Sequence, residues 1–133
     1  MFEVHSGDLL IARGGNEDDI KHGRNFHSNP EEWMQWGTFW YPEEYGMQSH
    51  IHKAREHRGK HKTHEFIYIV SGSLMVEFYN LEKEFIGSRM LYKGDFICLY
   101  DGGHGFMTKA PDTKFIEIKH GQFTSPEDDK EKF

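Results

Sequence analysis

The fold is limited first by the shortness of every patterned segment in the chain. The stretch "SLMVEFYN" (73–80) sets Leu74, Val76 and Phe78 on one side and Met75, Glu77 and Tyr79 on the other. A period of two belongs to a half-buried strand. "EFIYIVSG" (65–72) runs into it with Gly72 between the two, which predicts a tight hairpin. "GTFWYP" (37–42) and "GMQSHIH" (46–52) lie on either side of a turn-like "PEEYG". "GDLLIAR" (7–13), "EFIGSRMLYKGDFICLYDGGHGFM" (84–107) and "KFIEIKHG" (114–121) supply further strands, broken at "KGD" and "DGG". Short strands with turn signals this frequent predict an all-β sandwich or barrel. The one helical signal is "SNPEEWMQWG" (28–37), which predicts a short turn of helix capped by Ser28 or Asn29. "TSPEDDKEKF" (124–133) is charged and is expected to fray, with Phe133 the one residue able to dock.

At 133 residues the chain is expected to form one domain (1–133), with the barrel core at about 34–121 and a charged tail over 122–133. Aromatic residues make up 15% of it, too many for a disordered chain. The formal net charge of −6 argues against a nucleic-acid partner, which needs a basic face. No apolar run approaches the roughly 20 residues of a membrane span. The N-terminus lacks the pattern of a secretory signal. Cys98 is the single cysteine, so no intrachain disulfide forms, and a reducing, cytoplasmic setting is expected. Its strand-like surroundings predict a buried, inert thiol.

The chemistry gathers in "HIHKAREHRGKHKTHEF" (50–66), where five histidines precede a strand. His50 and His52 are two residues apart, so on a strand both rings face the same way. Glu65 opens the next strand and shares a face with Ile67 and Ile69, which places a carboxylate at the rim of an apolar interior. Downstream, "GGHGF" puts His104 in a glycine-rich turn that bends tightly enough to deliver a ring inward. Three histidines and one glutamate with open positions suit a divalent transition metal such as Fe, Mn, Ni, Co or Zn.

The order "HIH … EFIYIVSG … GDFICLYDGGH" resembles the two motifs of the cupin superfamily. The first is a His-x-His followed by a Glu and then a Gly; the second opens on Gly-Asp and ends on a His. The span from about Phe39 to Gly121 is similar to small single-domain cupins found among bacterial cell-surface polysaccharide genes. The resemblance implies a cupin jelly-roll β-barrel with His50, His52, Glu65 and His104 as metal ligands. One departure is the spacing: "KAREHRGKHKTH" is inserted between the paired histidines and Glu65, where the family has a short gap. A second register therefore stays open, in which His61 takes the second ligand position and His64 replaces the first.

Around that set, Arg55 and Arg58 are candidates for pairing with a phosphate or carboxylate on a substrate. Trp40, in the aromatic "WMQWGTFWY", is a candidate for stacking on a sugar ring. In the favoured register His57, His61 and His64 read as solvated, pH-sensitive loop residues, and His5, His22, His27 and His120 read as surface or hydrogen-bonded histidines. The expected function is a metal-binding cupin acting on a small polar or sugar-derived metabolite, with isomerisation or epimerisation suited to a metal that stabilises an enediolate. The alternatives are a non-catalytic sugar- or metabolite-binding module and an Fe-dependent dioxygenase. A small-molecule partner and a homodimer are expected.

Overall fold

The computed structural model describes residues 1–54, 62–121 and 124–133. Twelve strands run through them. β1 (Phe2–Ser6) and β2 (Leu9–Gly14) pair only with each other. The others are β3 (Gly23–Phe26), β4 (Met34–Tyr41), β5 (Gly46–His52), β6 (Glu65–Ser71), β7 (Ser73–Tyr79), β8 (Phe85–Tyr92), β9 (Phe96–Leu99), β10 (Gly103–Thr108), β11 (Thr113–His120) and β12 (Lys130–Lys132). They form two five-stranded antiparallel sheets, ordered β12-β5-β10-β7-β8 and β3-β4-β11-β6-β9.

Three expectations need correcting. The first is the hairpin at Gly72. β6 and β7 are consecutive but belong to different sheets, so Gly72 is a corner where the chain crosses from one layer to the other. Its φ of 74° lies in the left-handed region, and a Cβ there would sit 2.7 Å from the Cα of Thr113. The second is the helix at 28–37. Only a turn forms, with the Glu32 N–H donating to the Asn29 carbonyl at 3.0 Å. β4 takes over at Met34, because its pairing with β11 from Met34↔His120 to Tyr41↔Thr113 outweighs a weak local preference. The third is the fraying tail. Ser125 caps one helical turn, α1 (Pro126–Asp129), by accepting from the Asp128 N–H at 3.1 Å. β12 then pairs with β5, and the Phe133 ring meets Tyr79 edge-on at 5.0 Å.

The inner faces of the strands change character along their length, and this positions the site. On β6 the buried residues run Ile69, Ile67, Glu65; on β10 they include Phe106 and then His104. On β11 the face that starts at Phe115 continues through Glu117 to the buried Lys119. The apolar ends meet in one core of Phe39, Tyr41, Ile67, Ile69, Leu74, Val76, Leu91, Leu99, Phe106 and Phe115. Phe39 and Phe115, opposite one another in register, stack at 4.7 Å. The polar ends gather beside that core, between the same two sheets. Cys98 is half-buried on β9 opposite the exposed Phe66, so the expected burial of its thiol is only partial.

Because a Gly72 side chain would meet backbone as well as strain φ, Gly72→Ala is expected to destabilise the fold by about 1–3 kcal/mol. Urea unfolding of the two proteins checks this; equal midpoints would show that the corner relaxes freely.

Candidate metal centre

Pairing of β5 with β10 sets His50 directly opposite His104, with ring centroids 4.4 Å apart. The approach is close because Gly105 follows His104: a Cβ at that position would lie 2.4 Å from Ser49 Oγ and 3.3 Å from Ser49 Cα on β5. His104 therefore sits within a strand, not in the expected turn. His52 lies two residues along β5 from His50, and Glu65 projects from the facing sheet. His50, His52, Glu65 and His104 are all buried, and each offers a donor atom within 4.8 Å of the others. A single ion with bonds of about 2.0–2.2 Å spans such a set after small side-chain movements.

The donor chemistry fits an ion. His50 Nδ1 lies 3.1 Å from the Gln48 carbonyl, which fixes the proton on that nitrogen and leaves Nε2 as a lone-pair donor. Among the described residues, the Nε2 atoms of His50, His52 and His104 and Oε2 of Glu65 are buried without a hydrogen bond. His52 Nε2 approaches Glu65 Oε1 to 3.0 Å and His104 Nε2 approaches Oε2 to 3.1 Å, without the alignment of a hydrogen bond. Four orphaned donors pointing at one place are costly in a protein interior, and a cation answers all of them together.

Asp129, at the end of α1, adds a residue that sequence reasoning missed. Its carboxylate has no exposed surface and lies 3.4 Å from His52 Nδ1. It accepts from Thr63 Oγ1 at 2.7 Å and faces Lys119 Nζ at 3.6 Å. A carboxylate behind a metal-ligating imidazole orients the ring and raises its basicity. The only sequence signal was a capping pattern, Ser125-Pro126, inside a run of charge.

These surroundings split the histidines. Burial, reinforced by His104, lowers the His50 ring to about 3. Burial alone would lower His52 too, but the carboxylates of Asp129 and Glu65 at its two nitrogens outweigh that and raise it to about 9. Burial disfavours the charged form of Glu65, yet His104 and His52 hold its carboxyl well below the usual range. Glu117, on the adjoining wall, is pushed up to about 7 by burial and by the charge of Glu65.

A cavity of about 260 Å³ opens against this cluster. His50 and Glu65 line it together with Phe26, Phe39, Phe106, Glu117, Arg24, Lys119, Lys130 and Lys132, among others. Trp40 is not in that lining. Neighbouring Phe39 faces inward, so Trp40 faces out; there its ring stacks on His22 at 3.6 Å and its Nε1–H donates to Asp112. Arg55, Arg58, His57 and His61 lie outside the described residues. His64 is exposed, its ring edge-on to His120 and Tyr100, so it does not join the cluster.

No protein-family model matches the chain, and no curated protein does. Solved structures do match. Oxalate decarboxylase from Bacillus subtilis superimposes with a TM-score of 0.60 at 14% identity, over 77% of this chain and 24% of that one. KdgF from Halomonas sp. gives 0.56 at 20% identity, over 74% of this chain and 77% of that one. The coconut allergen cocosin gives 0.55 at 13%, over 68% and 22%. All three are cupins. This chain has the cupin jelly-roll fold. It spans about a quarter of the length of oxalate decarboxylase. Among the described residues, no helix is long and apolar enough to cross a membrane.

A metal needs His52 without its proton, so binding competes with a ring that holds a proton up to about pH 9. The melting-temperature gain on adding a divalent metal to chelator-treated protein is therefore expected to grow between about pH 6 and 8. Without metal, the signs differ. His50 costs stability as pH falls below its unfolded value of 6.5 toward about 3. The charged His52 adds stability below 6.5, lost as pH rises through about 9. These two groups place the stability maximum of chelator-treated protein near pH 6.5, and thermal melts across pH check it; a gain from metal that is flat with pH would show that His52 is not a ligand.

Proposed function

We propose that this protein is a metal-dependent cupin acting on a small polar metabolite, with a sugar-derived molecule as the candidate substrate class and surface-polysaccharide synthesis as its setting. The observation that carries the metal reading is the set of four buried, converging donors without hydrogen bonds among the described residues. His50, His52, Glu65 and His104 would hold the ion, and Asp129 would orient His52. A bound divalent cation supplies Lewis-acid polarisation of substrate oxygens. Manganese heads the list of ions to try, since oxalate decarboxylase from Bacillus subtilis is described with Mn(II) centres. Iron, nickel, cobalt and zinc follow from the ligand types.

The chain's own residues support proton movement beside such a site. Glu117 lines the same cavity, and its carboxyl is raised to about 7 by burial and Glu65, a value suited to giving or taking a proton near neutral pH. Phe26, Phe39 and Phe106 form the apolar part of the wall and limit water there. The non-catalytic reading keeps the same cavity and ligands and differs only in turnover. The Fe-dependent dioxygenase reading differs in the metal and in the need for O₂. The chain is further proposed to work in the cytoplasm as a homodimer. In favour of the dimer, Phe66, Tyr68 and Phe96 are exposed on the outward side of β6 and β9.

Elemental analysis of untagged protein tests the core of this. About one metal per chain is expected in the wild type, falling to less than about a tenth of that in His104→Ala, while His64→Ala keeps it. No metal in the wild type after supply of Mn, Fe, Ni, Co and Zn would remove the metal reading. Sedimentation equilibrium is expected to give twice the chain mass, and a monomer would remove the dimer.

A further inference from the structure

We propose that the cavity takes a small organic anion whose carboxylate or phosphate group is held by Lys130, Lys119 and Arg24 beside His50 and Glu65 of the candidate ligand set. This deepens the metal-cupin reading and rests on it for the neighbouring ion, but the cationic wall is built by other residues.

The pairing register shows how the wall arises. Directly opposite residues of an antiparallel pair project from the same face. On β12, Lys130 is opposite His52 and Lys132 is opposite His50, so both lysines share the inward face of the histidines. On β11, Lys119 is opposite Glu65, and on β3, Arg24 is opposite the core residue Phe39. Two sheets thus aim cations at one space from three strands. Glu131, between the two lysines, points the other way and pairs with Lys83 outside.

Charge makes the selection. Arg24, Lys119, Lys130 and Lys132 line the cavity against two carboxylates, Glu65 and Glu117, a balance of +2 with His50 neutral. The whole chain stands at −6 on the same convention. A local excess of cations on an acidic protein, focused in a concave space, attracts anions from solution. Lys119 is already engaged with Asp129 at 3.6 Å. Lys130 is half-buried and makes no ion pair among the described residues, although the carboxylates of Glu65 and Glu117 act on it across the cavity, and the Arg24 guanidinium lies 5.6 Å over the Phe39 ring beside the Tyr41 hydroxyl. A divalent ion at the site would draw on the charge of Glu65 and leave the wall more positive still. A neutral polyol would leave these cations without a charged acceptor, whereas a carboxylate or phosphate meets them with charge-assisted hydrogen bonds. With about 260 Å³ available, the cavity suits a compact anion.

Calorimetric titration of the full chain with malonate, inorganic phosphate and malonamide, the neutral counterpart of malonate, provides the test. At least one of the two anions is expected to bind about tenfold more tightly than malonamide, and which of them does so identifies the group preferred. Lys130→Gln is expected to weaken that anion about tenfold while retaining the wild-type metal content. Arg24→Gln, at an exposed position on a short strand, is expected to weaken it in the same direction and serves if Lys130→Gln fails to fold. Malonamide binding as tightly as malonate would overturn the proposal. So would unchanged anion affinity in the folded variants, or no anion binding at about 10 mM. Repeating the titrations after chelation separates the two readings. Lysine-dependent anion binding in protein that never takes up metal would uphold the wall and remove the ion. Binding lost on chelation yet indifferent to Lys130 and Arg24 would mean the ion alone holds the anion.

Discussion

Glu65 is a carboxylate with 3% of its surface exposed, placed where the strands of one sheet turn from apolar to polar. Burying such a charge costs several kcal/mol unless cations and hydrogen-bond donors surround it. The surrounding structure can be understood as the answer to that cost. His52 and His104 come within 3.1 Å of it from the other sheet, and His52 keeps a proton because Asp129 sits on its far side. A chain of alternating charge, Glu65–His52–Asp129–Lys119, thus crosses the gap between the layers. The same arrangement makes the site ready for a divalent ion, which would take over the compensating role of the imidazolium.

This dependence gives the two parts of the interlayer space different duties. The aromatic and aliphatic end, with Phe39, Phe115, Ile67 and Ile69, supplies the burial that holds the sheets together. The polar end contributes little by that route, and its groups are held in place by partners on the opposite sheet. Metal binding would change the stability of the polar end far more than that of the core, since the ion binds only where all four donors are assembled.

How much of this was legible beforehand depended on how local the signal was. The period of two in 65–71 and 73–79 located the strands, and the inward set Glu65, Ile67, Ile69 followed from alternation alone. The four residues of the cluster were reached through the spacing of His50 and His52 and a motif resemblance, and the structure brings them together. What could not be read was pairing across the sequence. Gly72 reads as a hairpin because its neighbours are strands, yet each strand takes its partners from elsewhere: β6 from β9 and β11, β7 from β8 and β10. Trp40 has the chemistry of a stacking platform, while the face it occupies is set by Phe39 beside it. The C-terminal segment misled most. "DDKEK" looks solvated by composition, while its alternation of Lys130, Glu131 and Lys132 is that of a strand with one face turned to a site.

β12 has a consequence for the order of events. It is three residues long, lies at the edge of its sheet, and touches only β5 through its ladder. A short edge strand is the kind of element that opens first under native conditions, well below the cost of unfolding the whole molecule. Its inward lysines and the adjoining Asp129 would travel with it, so each opening would at once unlatch the ring of His52 and remove the β12 share of the cationic wall. Entry of an ion or a small anion would then be paced by the breathing of one small strand rather than by any loosening of the aromatic core.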